Sequence, residues 1–148
     1  MFNHESPRRG FEFVTRKISS TAAKIKLGIE SELRLGNIDA KRDWGFSGEY
    51  VKMMYKMLQQ EKPEDFVIGT GKIHTVLEFI KVVFEELELN FEEYLVVDPF
   101  FFRHDESTTL IADTQKAKKK LGWNPKVSFE ELALMMIKND YDILKKQL

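Results

Sequence analysis

Apolar residues recur at three- and four-residue steps in several parts of the chain, and short apolar runs separate these stretches. Residues 12–26 have the helical spacing, and Gly28 is a stop signal just beyond them. We predict one buried helical face made of Phe11, Val14, Ile18, Ala22 and Ile25. A strand-like run at 32–36 follows. Residues 37–48 are typical of a polar loop because of their Gly, Asn and Asp content.

The same alternation continues towards the C-terminus. A second apolar stripe over 50–58 ends before Pro63, and its members are Tyr50, Met53, Met54, Met57 and Leu58. Residues 65–69 and 95–98 predict short strands, and residues 113–122 predict a brief helix. The alternation of helices and short strands predicts an α/β or α+β chain rather than a helix bundle or a β-sandwich.

Two capping boxes are predicted, in which the side chains at both positions satisfy free backbone N–H groups at a helix start. One pairs Thr75 with Glu78, and the other pairs Ser128 with Glu131. The buried face of the first helix is predicted to contain Val76, Phe79, Ile80, Val83, Phe84 and Leu87. The face of the second is predicted to contain Leu132, Met135, Met136, Tyr141 and Leu144.

Composition narrows the class of protein. The 148 residues are enough for one domain, and a hydrophobic share of 43% with 12 Phe can form a core. A net charge of −1 argues against broad electrostatic binding of nucleic acid. The absence of Cys excludes disulfides, thiolate catalysis and iron–sulfur clusters, and it favours an intracellular protein. We find no signal peptide and no apolar run of membrane-spanning length, so no membrane partner is expected.

Cofactor motifs are absent from the sequence itself. The segment Gly69-Thr-Gly71 leads to His74 where a dinucleotide-binding loop needs a third glycine, and no Walker A pattern occurs. The three His residues lie far apart, with no carboxylate at the spacing of metal ligands, so no metal site is predicted.

Arginines beside unusual polar or aromatic segments are the stronger chemical signal. His4 and Arg9 lie in a turn bounded by Pro and Gly, Arg42 precedes an aromatic residue, and Arg103 with Glu106 follows an aromatic run. Planar guanidinium groups suit phosphate recognition through charge-assisted hydrogen bonds. For the first segment taken alone, a solvated turn is slightly favoured, and each segment alone is compatible with a structural ion pair. The three together favour an anionic ligand.

The same segments resemble a known family. NHESPRRG, LRLGNIDAKRDWGFSGEYV, VVDPFFFR and KAKKKLGWNPKVSFEELALMMI run in the order, and nearly the spacing, of the C-terminal half of GDP-mannose 4,6-dehydratases. These enzymes are extended short-chain dehydrogenase/reductases of the NAD(P)-binding Rossmann superfamily. The resemblance covers essentially all 148 residues. It implies an α/β fold, mainly helical with short strands, from which the N-terminal Rossmann half is absent.

The resemblance also implies roles for individual residues. His4 and Arg9 match positions that contact NADP in the family. The positions that match GDP-mannose contacts are Asn3, Val14, Lys17, Arg42, Arg103 and Glu106. His104 and Asp105 depart from the Pro-Ala of the family and add a negative charge where a diphosphate is expected. The family's catalytic Ser or Thr, Glu, Tyr and Lys have no counterpart here, so no catalytic residue is expected.

The functional expectation follows from the resemblance. Residues 1–148 are expected to form a single unit, the substrate-binding half of a cytoplasmic GDP-mannose 4,6-dehydratase, which converts GDP-mannose to GDP-4-keto-6-deoxymannose and shares NADP with the missing half. Alone, the chain is expected to be inactive. Alternatives are a non-catalytic GDP-sugar-binding module, a remnant that does not fold, and a related GDP-sugar epimerase or reductase.

Expected partners are a separate N-terminal half or a full-length dehydratase, with a homo-oligomer in the intact enzyme. Residues 45–70 resemble elements that pack on the missing nucleotide-binding sheet. The apolar side chains expected to lose their partner without that sheet are Met53, Met57, Phe66 and Ile68.

Overall fold

A computed structural model describes residues 1–102 and 109–148. Within these residues the helices are α1 (Val14–Lys26), α2 (Ser47–Leu58), α3 (Val76–Glu86), α4 (Gln115–Leu121) and α5 (Phe129–Lys145). The strands are β1 (Asn3–Glu5), β2 (Leu33–Leu35), β3 (Lys41–Arg42), β4 (Trp44–Phe46), β5 (His74–Thr75) and β6 (Leu95–Val97). Short 3-10 helices occupy Phe91–Glu93 and Pro99–Phe101. Helices dominate, and the strands are short.

The strands form three separate pairs. β1 pairs with β4 and β2 with β6, both in parallel, while β3 and β5 are antiparallel. The register places Asn3 opposite Trp44 and Arg42 opposite His74. These pairings bring the N-terminal turn next to the segment that contains Arg42.

The main core lies between α1, α3 and α5, and aromatic rings form its centre. The ring of Trp44 lies 6.1 Å from that of Phe129 and 5.8 Å from that of Phe79. The predicted α3 face is confirmed, because its six apolar residues are buried. In α1 the prediction holds for Ile18, Ala22 and Ile25, which are buried. Val14 is half-buried, and the prediction is wrong for Phe11. Helix α1 begins only at Val14, so Phe11 lies in the preceding turn and is exposed.

Local signals at the helix ends are confirmed. Thr75 Oγ1 accepts from Glu78 N at 3.0 Å, and the Glu78 carboxylate accepts from Thr75 N at 2.7 Å. The box of Ser128 and Glu131 has the same geometry. Gly122 ends α4 with a φ of 65°, a left-handed conformation that glycine adopts without a steric penalty.

A second cluster forms where α2 packs on α4 and the 65–69 segment. Its buried residues are Tyr50, Met53, Ile68, Ala117, Leu121 and Trp123, and Met57 and Phe66 pack against it. The expectation that Met53, Met57, Phe66 and Ile68 lack a partner is therefore wrong. Their partners are α4 and Trp123 of this same chain.

The opposite side of α2 carries exposed apolar side chains. We define the outer face of α2 as Val51, Met54, Tyr55 and Leu58, whose exposed fractions range from 39% to 81%. The predicted stripe placed Met54 and Leu58 with Met53, and this is wrong for those two. A spacing of one or five residues turns a side chain about 100° or 140° around a helix, away from the buried side.

Two further predictions need correction. Residues 37–48 are not one loop, because they contain β3 and β4 and the start of α2. Residues 65–69 are not assigned to a strand, although Phe2 N donates to Ile68 O at 2.8 Å. Both outcomes depend on whether another strand lies alongside to pair with the segment. The composition of the segment carries no information on that neighbour.

Candidate functional site

Five of the predicted site residues line one cavity of about 480 Å³. They are Asn3, Arg9, Val14, Lys17 and Arg42. We call this space the cationic cavity, because three of the five carry a positive charge. Glu12 is the acidic residue on its wall, and Leu35, Ala40, Val76 and Phe101 are among its apolar lining residues.

Three elements position these side chains. Val14 and Lys17 lie three residues apart in the first turns of α1, so both are on the same side of that helix. Asn3 is held by the pairing of β1 with β4, and Arg42 by the pairing of β3 with β5. The cavity thus lies where the N-terminal turn, the start of α1 and the segment after β2 meet.

Arg9 is held between an acid and an aromatic ring. Its Nε lies 3.1 Å from Glu5 Oε2, and its Cζ lies 3.4 Å from the centroid of the Phe13 ring. Glu5 is buried and also accepts a hydrogen bond from Thr15 Oγ1 at 2.6 Å. The contact between Arg9 and Glu5 is an ion pair rather than a hydrogen bond, and Arg9 Nε has no hydrogen-bond partner within residues 1–102 and 109–148.

Lys17 and Arg42 supply the other two charges. Lys17 Nζ lies 4.4 Å from the centroid of the Phe101 ring, and it forms no ion pair with a carboxylate in the part of the chain that is described. Arg42 Nη1 donates to Lys41 O at 2.8 Å. Cations beside aromatic rings in a partly enclosed space suit the binding of an anion. Arg103 and Glu106 lie outside the described residues.

Phe101 approaches the cavity closely because Gly36 has no side chain. A Cβ at Gly36 would overlap the carbonyl oxygen of Phe101. The absence of that atom lets the Pro99–Phe101 turn pack on the segment after β2, which keeps the Phe101 ring over Lys17.

His4 is separated from the cavity. Side chains alternate along a strand, so His4 points to the face of β1 opposite Asn3. Its ring stacks on Tyr50 at 5.1 Å, and its Nδ1 lies 2.9 Å from Phe2 O. The buried Tyr50 hydroxyl has no hydrogen-bond partner among the described residues. Burial, together with nearby carboxylates such as Asp43, raises the pKa of Tyr50 well above its usual value.

Asp43 is a buried residue whose structural role is not predicted from the sequence. Its Oδ1 accepts from Thr70 N at 2.8 Å and from Thr70 Oγ1 at 2.6 Å, and its Oδ2 accepts from Gly71 N at 2.8 Å. It is 2% exposed. These bonds hold the 70–71 turn beside Arg42. No motif reveals this role, because the partners lie 27 and 28 residues away in sequence.

Neither a metal cluster nor a membrane span is found in the described parts of the chain. Residues 1–102 and 109–148 contain no group of three or more His, Cys, Asp or Glu side chains placed to hold a metal ion. In the same ranges no helix combines the length and apolar character needed to cross a bilayer.

Comparison with known sequences identifies close relatives. The family model for GDP-mannose 4,6 dehydratase matches residues 1–136. GDP-mannose 4,6 dehydratase 1 of Arabidopsis thaliana is 50% identical over 147 residues, covering 99% of this chain and 41% of that protein. The Homo sapiens GDP-mannose 4,6 dehydratase is 44% identical over 162 residues, covering 98% of this chain and 44% of that protein. The chain therefore spans less than half the length of these relatives.

Solved structures show the same fold. RMD from Pseudomonas aeruginosa, complexed with NADPH, has a TM-score of 0.85 at 17% identity, over 95% of this chain and 46% of that chain. The UDP-glucose 4-epimerase of Thermotoga maritima, with UDP-glucose, has a TM-score of 0.74 at 26% identity, over 98% and 45% of the two chains. A dTDP-glucose 4,6-dehydratase from Bacillus anthracis, in complex with NAD, has a TM-score of 0.78. The predicted fold class, part of the fold of nucleotide-sugar epimerases and dehydratases, is confirmed.

Proposed function

Because the chain belongs to the GDP-mannose 4,6-dehydratase family, we propose that it forms the GDP-sugar-binding part of such an enzyme. One observation carries the proposal. The cationic cavity brings Lys17 of α1 and Arg42 of β3 to the wall of one space with Asn3 and Val14, although these residues come from separate segments.

The chemistry of the cavity suits a nucleoside diphosphate sugar. Lys17 and Arg42 offer positive charge to the diphosphate, and Arg42 can make paired hydrogen bonds to phosphate oxygens. Val14 provides apolar surface for a base or a sugar ring, and Asn3 provides an amide for hydroxyl groups. Arg103 and Glu106 stay predicted members of the same site.

The cofactor proposed for the complete enzyme is NADP, and the chain holds only part of a site for it. Arg9 fits the edge of a phosphate-bearing cofactor, because it lines the cationic cavity and a guanidinium has further N–H donors besides the Nε that faces Glu5. His4, on the other face of β1, is the second predicted contact. When bound, NADP supplies reversible hydride transfer to and from the sugar. The sequence has no glycine-rich loop, so most of the site must come from outside these 148 residues.

The dehydratase reaction itself, an NADP-dependent elimination of water from GDP-mannose, is therefore proposed for a larger assembly. The outer face of α2 supports this proposal. Val51 and Leu58 are exposed apolar side chains, and relatives of more than twice this length contain additional chain that could cover them. We propose that this face packs on the nucleotide-binding part of the family fold. A homo-oligomer of the assembly and a cytoplasmic location stay predictions.

The first expected result is that the isolated chain binds GDP-mannose without converting it. Isothermal titration of the folded chain with GDP-mannose should show saturable binding, whereas incubation with GDP-mannose and NADP should give no 4-keto product by mass spectrometry. UDP-glucose is the control ligand and should bind more weakly. Turnover by the isolated chain would contradict the proposal that the dehydratase reaction requires a larger assembly. Absence of binding to a chain with cooperative unfolding would contradict the GDP-sugar site.

A second expected result concerns the outer face of α2. The nucleotide-binding part of Arabidopsis GDP-mannose 4,6 dehydratase 1, co-expressed with this chain, should form a complex. Replacing Val51 and Leu58 together by Asp should weaken that complex by about tenfold or more, since apolar burial would be exchanged for the burial of charge. Lys52→Asp, at an exposed position of the same helix, is the matched control. Equal affinities of all three chains would rule out this face.

A further inference from the structure

A buried ion pair joins α1 to α5 beneath the N-terminal turn. Arg16 is 7% exposed and Asp140 is 3% exposed. Arg16 Nε donates to Asp140 Oδ2 at 3.0 Å, and Arg16 Nη2 lies 2.7 Å from Asp140 Oδ1. Ser19 Oγ also donates to Asp140 Oδ2. Both carboxylate oxygens are therefore engaged, and the guanidinium plane has a defined orientation.

The remaining edge of the guanidinium reaches the turn that carries Arg9. Arg16 Nη1 donates to the carbonyl oxygen of Pro7 and, at 3.1 Å, to that of Arg9. The turn itself is closed by Arg9 N, which donates to Ser6 O at 3.0 Å. Arg16 thus contacts the main chain on both sides of Arg8 while its other edge is held by Asp140.

This arrangement does more than contribute to stability. A buried ion pair is often replaceable by apolar residues of similar size without loss of stability, so stability alone does not require it. What an apolar pair cannot provide is a donor for two carbonyl groups of the turn. Lysine at position 16 would not provide it either, since a single ammonium lacks the fork geometry that serves a carboxylate and two carbonyls together.

We propose that Arg16 and Asp140 are positioning residues for Arg9. Asp140 fixes the orientation of the Arg16 guanidinium, and Arg16 holds the main chain at Pro7 and Arg9. This places the Arg9 side chain between Glu5 and Phe13 on the wall of the cationic cavity. The proposal rests on the proposed function only in that Arg9 faces a ligand site. The placement itself can be measured without any ligand.

The test uses the nuclear magnetic resonance signal of the Arg9 side chain in the full chain. With its Cζ 3.4 Å from the Phe13 ring centroid, the Arg9 Nε–H should show an upfield ring-current shift. The control variant Phe13→Leu should remove that shift. The double variant Arg16→Met/Asp140→Leu should remain folded, and in it the Arg9 signal should move towards the value of a free arginine. Arg16→Lys should do the same.

Amide hydrogen exchange provides the second measurement. The Arg9 amide should exchange at least about tenfold faster in both variants, while amides in the centres of α1 and α5 keep their protection. An unchanged Arg9 signal and unchanged Arg9 exchange in the folded double variant would overturn the proposal. Amide exchange that became faster to the same extent in α1, α5 and the turn would also overturn it, because that result would indicate a structural role only. Lack of GDP-mannose binding would count against the proposed function and not against this placement.

Discussion

Replacing Phe79 with alanine is expected to lower the free energy of unfolding by about 3–5 kcal/mol, the largest effect expected of a single side chain on stability. Phe79 is fully buried at the start of α3. Its ring lies 5.8 Å from the rings of both Trp44 and Phe129. Truncation would leave a cavity between residues of three elements, α3, β4 and α5, which cannot all move in to fill it.

The measurement is urea unfolding followed by circular dichroism. Phe100→Ala is the matched control, because the same atoms are removed from a ring that is 86% exposed, and its effect should stay within about 0.5 kcal/mol. A domain of this size has only about 5–15 kcal/mol of stability, so Phe79→Ala could leave a population of unfolded chain at room temperature. Similar midpoints for the two variants would show that the α3 face is not the centre of the core.

Replacing Lys17 with glutamine is expected to weaken GDP-mannose binding by roughly ten- to a hundredfold, because a charge-assisted hydrogen bond to phosphate contributes about 1.5–3 kcal/mol. Lys17 lines the cavity beside Phe101, and its ammonium has no carboxylate partner within the described residues. Its charge is therefore available to a ligand. Glutamine keeps most of the side-chain length, so the change tests the charge.

Isothermal titration with GDP-mannose measures this effect. Lys24→Gln, on the same helix but outside the cavity, is the control and should bind like the unmodified chain. Both variants should unfold at nearly the same temperature, because neither lysine is part of the buried core. If the two variants bound GDP-mannose equally well, Lys17 would not contact the diphosphate.

The charges that line the cavity also predict where a bound diphosphate lies. Arg9 lies beside Glu5, and Lys17 and Arg42 line the same space from α1 and β3. A diphosphate would bring negative charge to a space that Arg9, Lys17 and Arg42 line. Glu12 stands at the same wall and disfavours an anion placed near it. We therefore expect the diphosphate to lie away from Glu12 and near Lys17, whose ammonium forms no ion pair with a carboxylate of the described residues.

Local sequence was sufficient for the elements whose stabilising contacts lie within a few residues. The capping boxes at Thr75 and Ser128 and the buried face of α3 were all predicted, and the glycine that ends α4 was as well. Each depends on interactions between neighbours along one helix. The family motifs were sufficient to select Asn3, Arg9, Val14, Lys17 and Arg42, which one cavity then brings together.

Tertiary structure alone decided the features that depend on distant partners. Strand β4 exists within a polar segment because β1 lies beside it, and residues 65–69 remain outside any strand although their composition suggests one. Met53 and Ile68 are buried because α4 and Trp123 cover them. His4 lies outside the cavity that Asn3 lines because side chains alternate along β1.

The ion pair of Arg16 and Asp140 is the clearest example of this division. The two residues are 124 positions apart, and each is unremarkable in its own helix. Periodicity tells which side of a helix is apolar, but it carries no information on which charged residue of another helix will meet it. That depends on the packing of α1 against α5. In the low dielectric of the core an unpaired charge is unfavourable, so a buried charge requires an oppositely charged partner at that place.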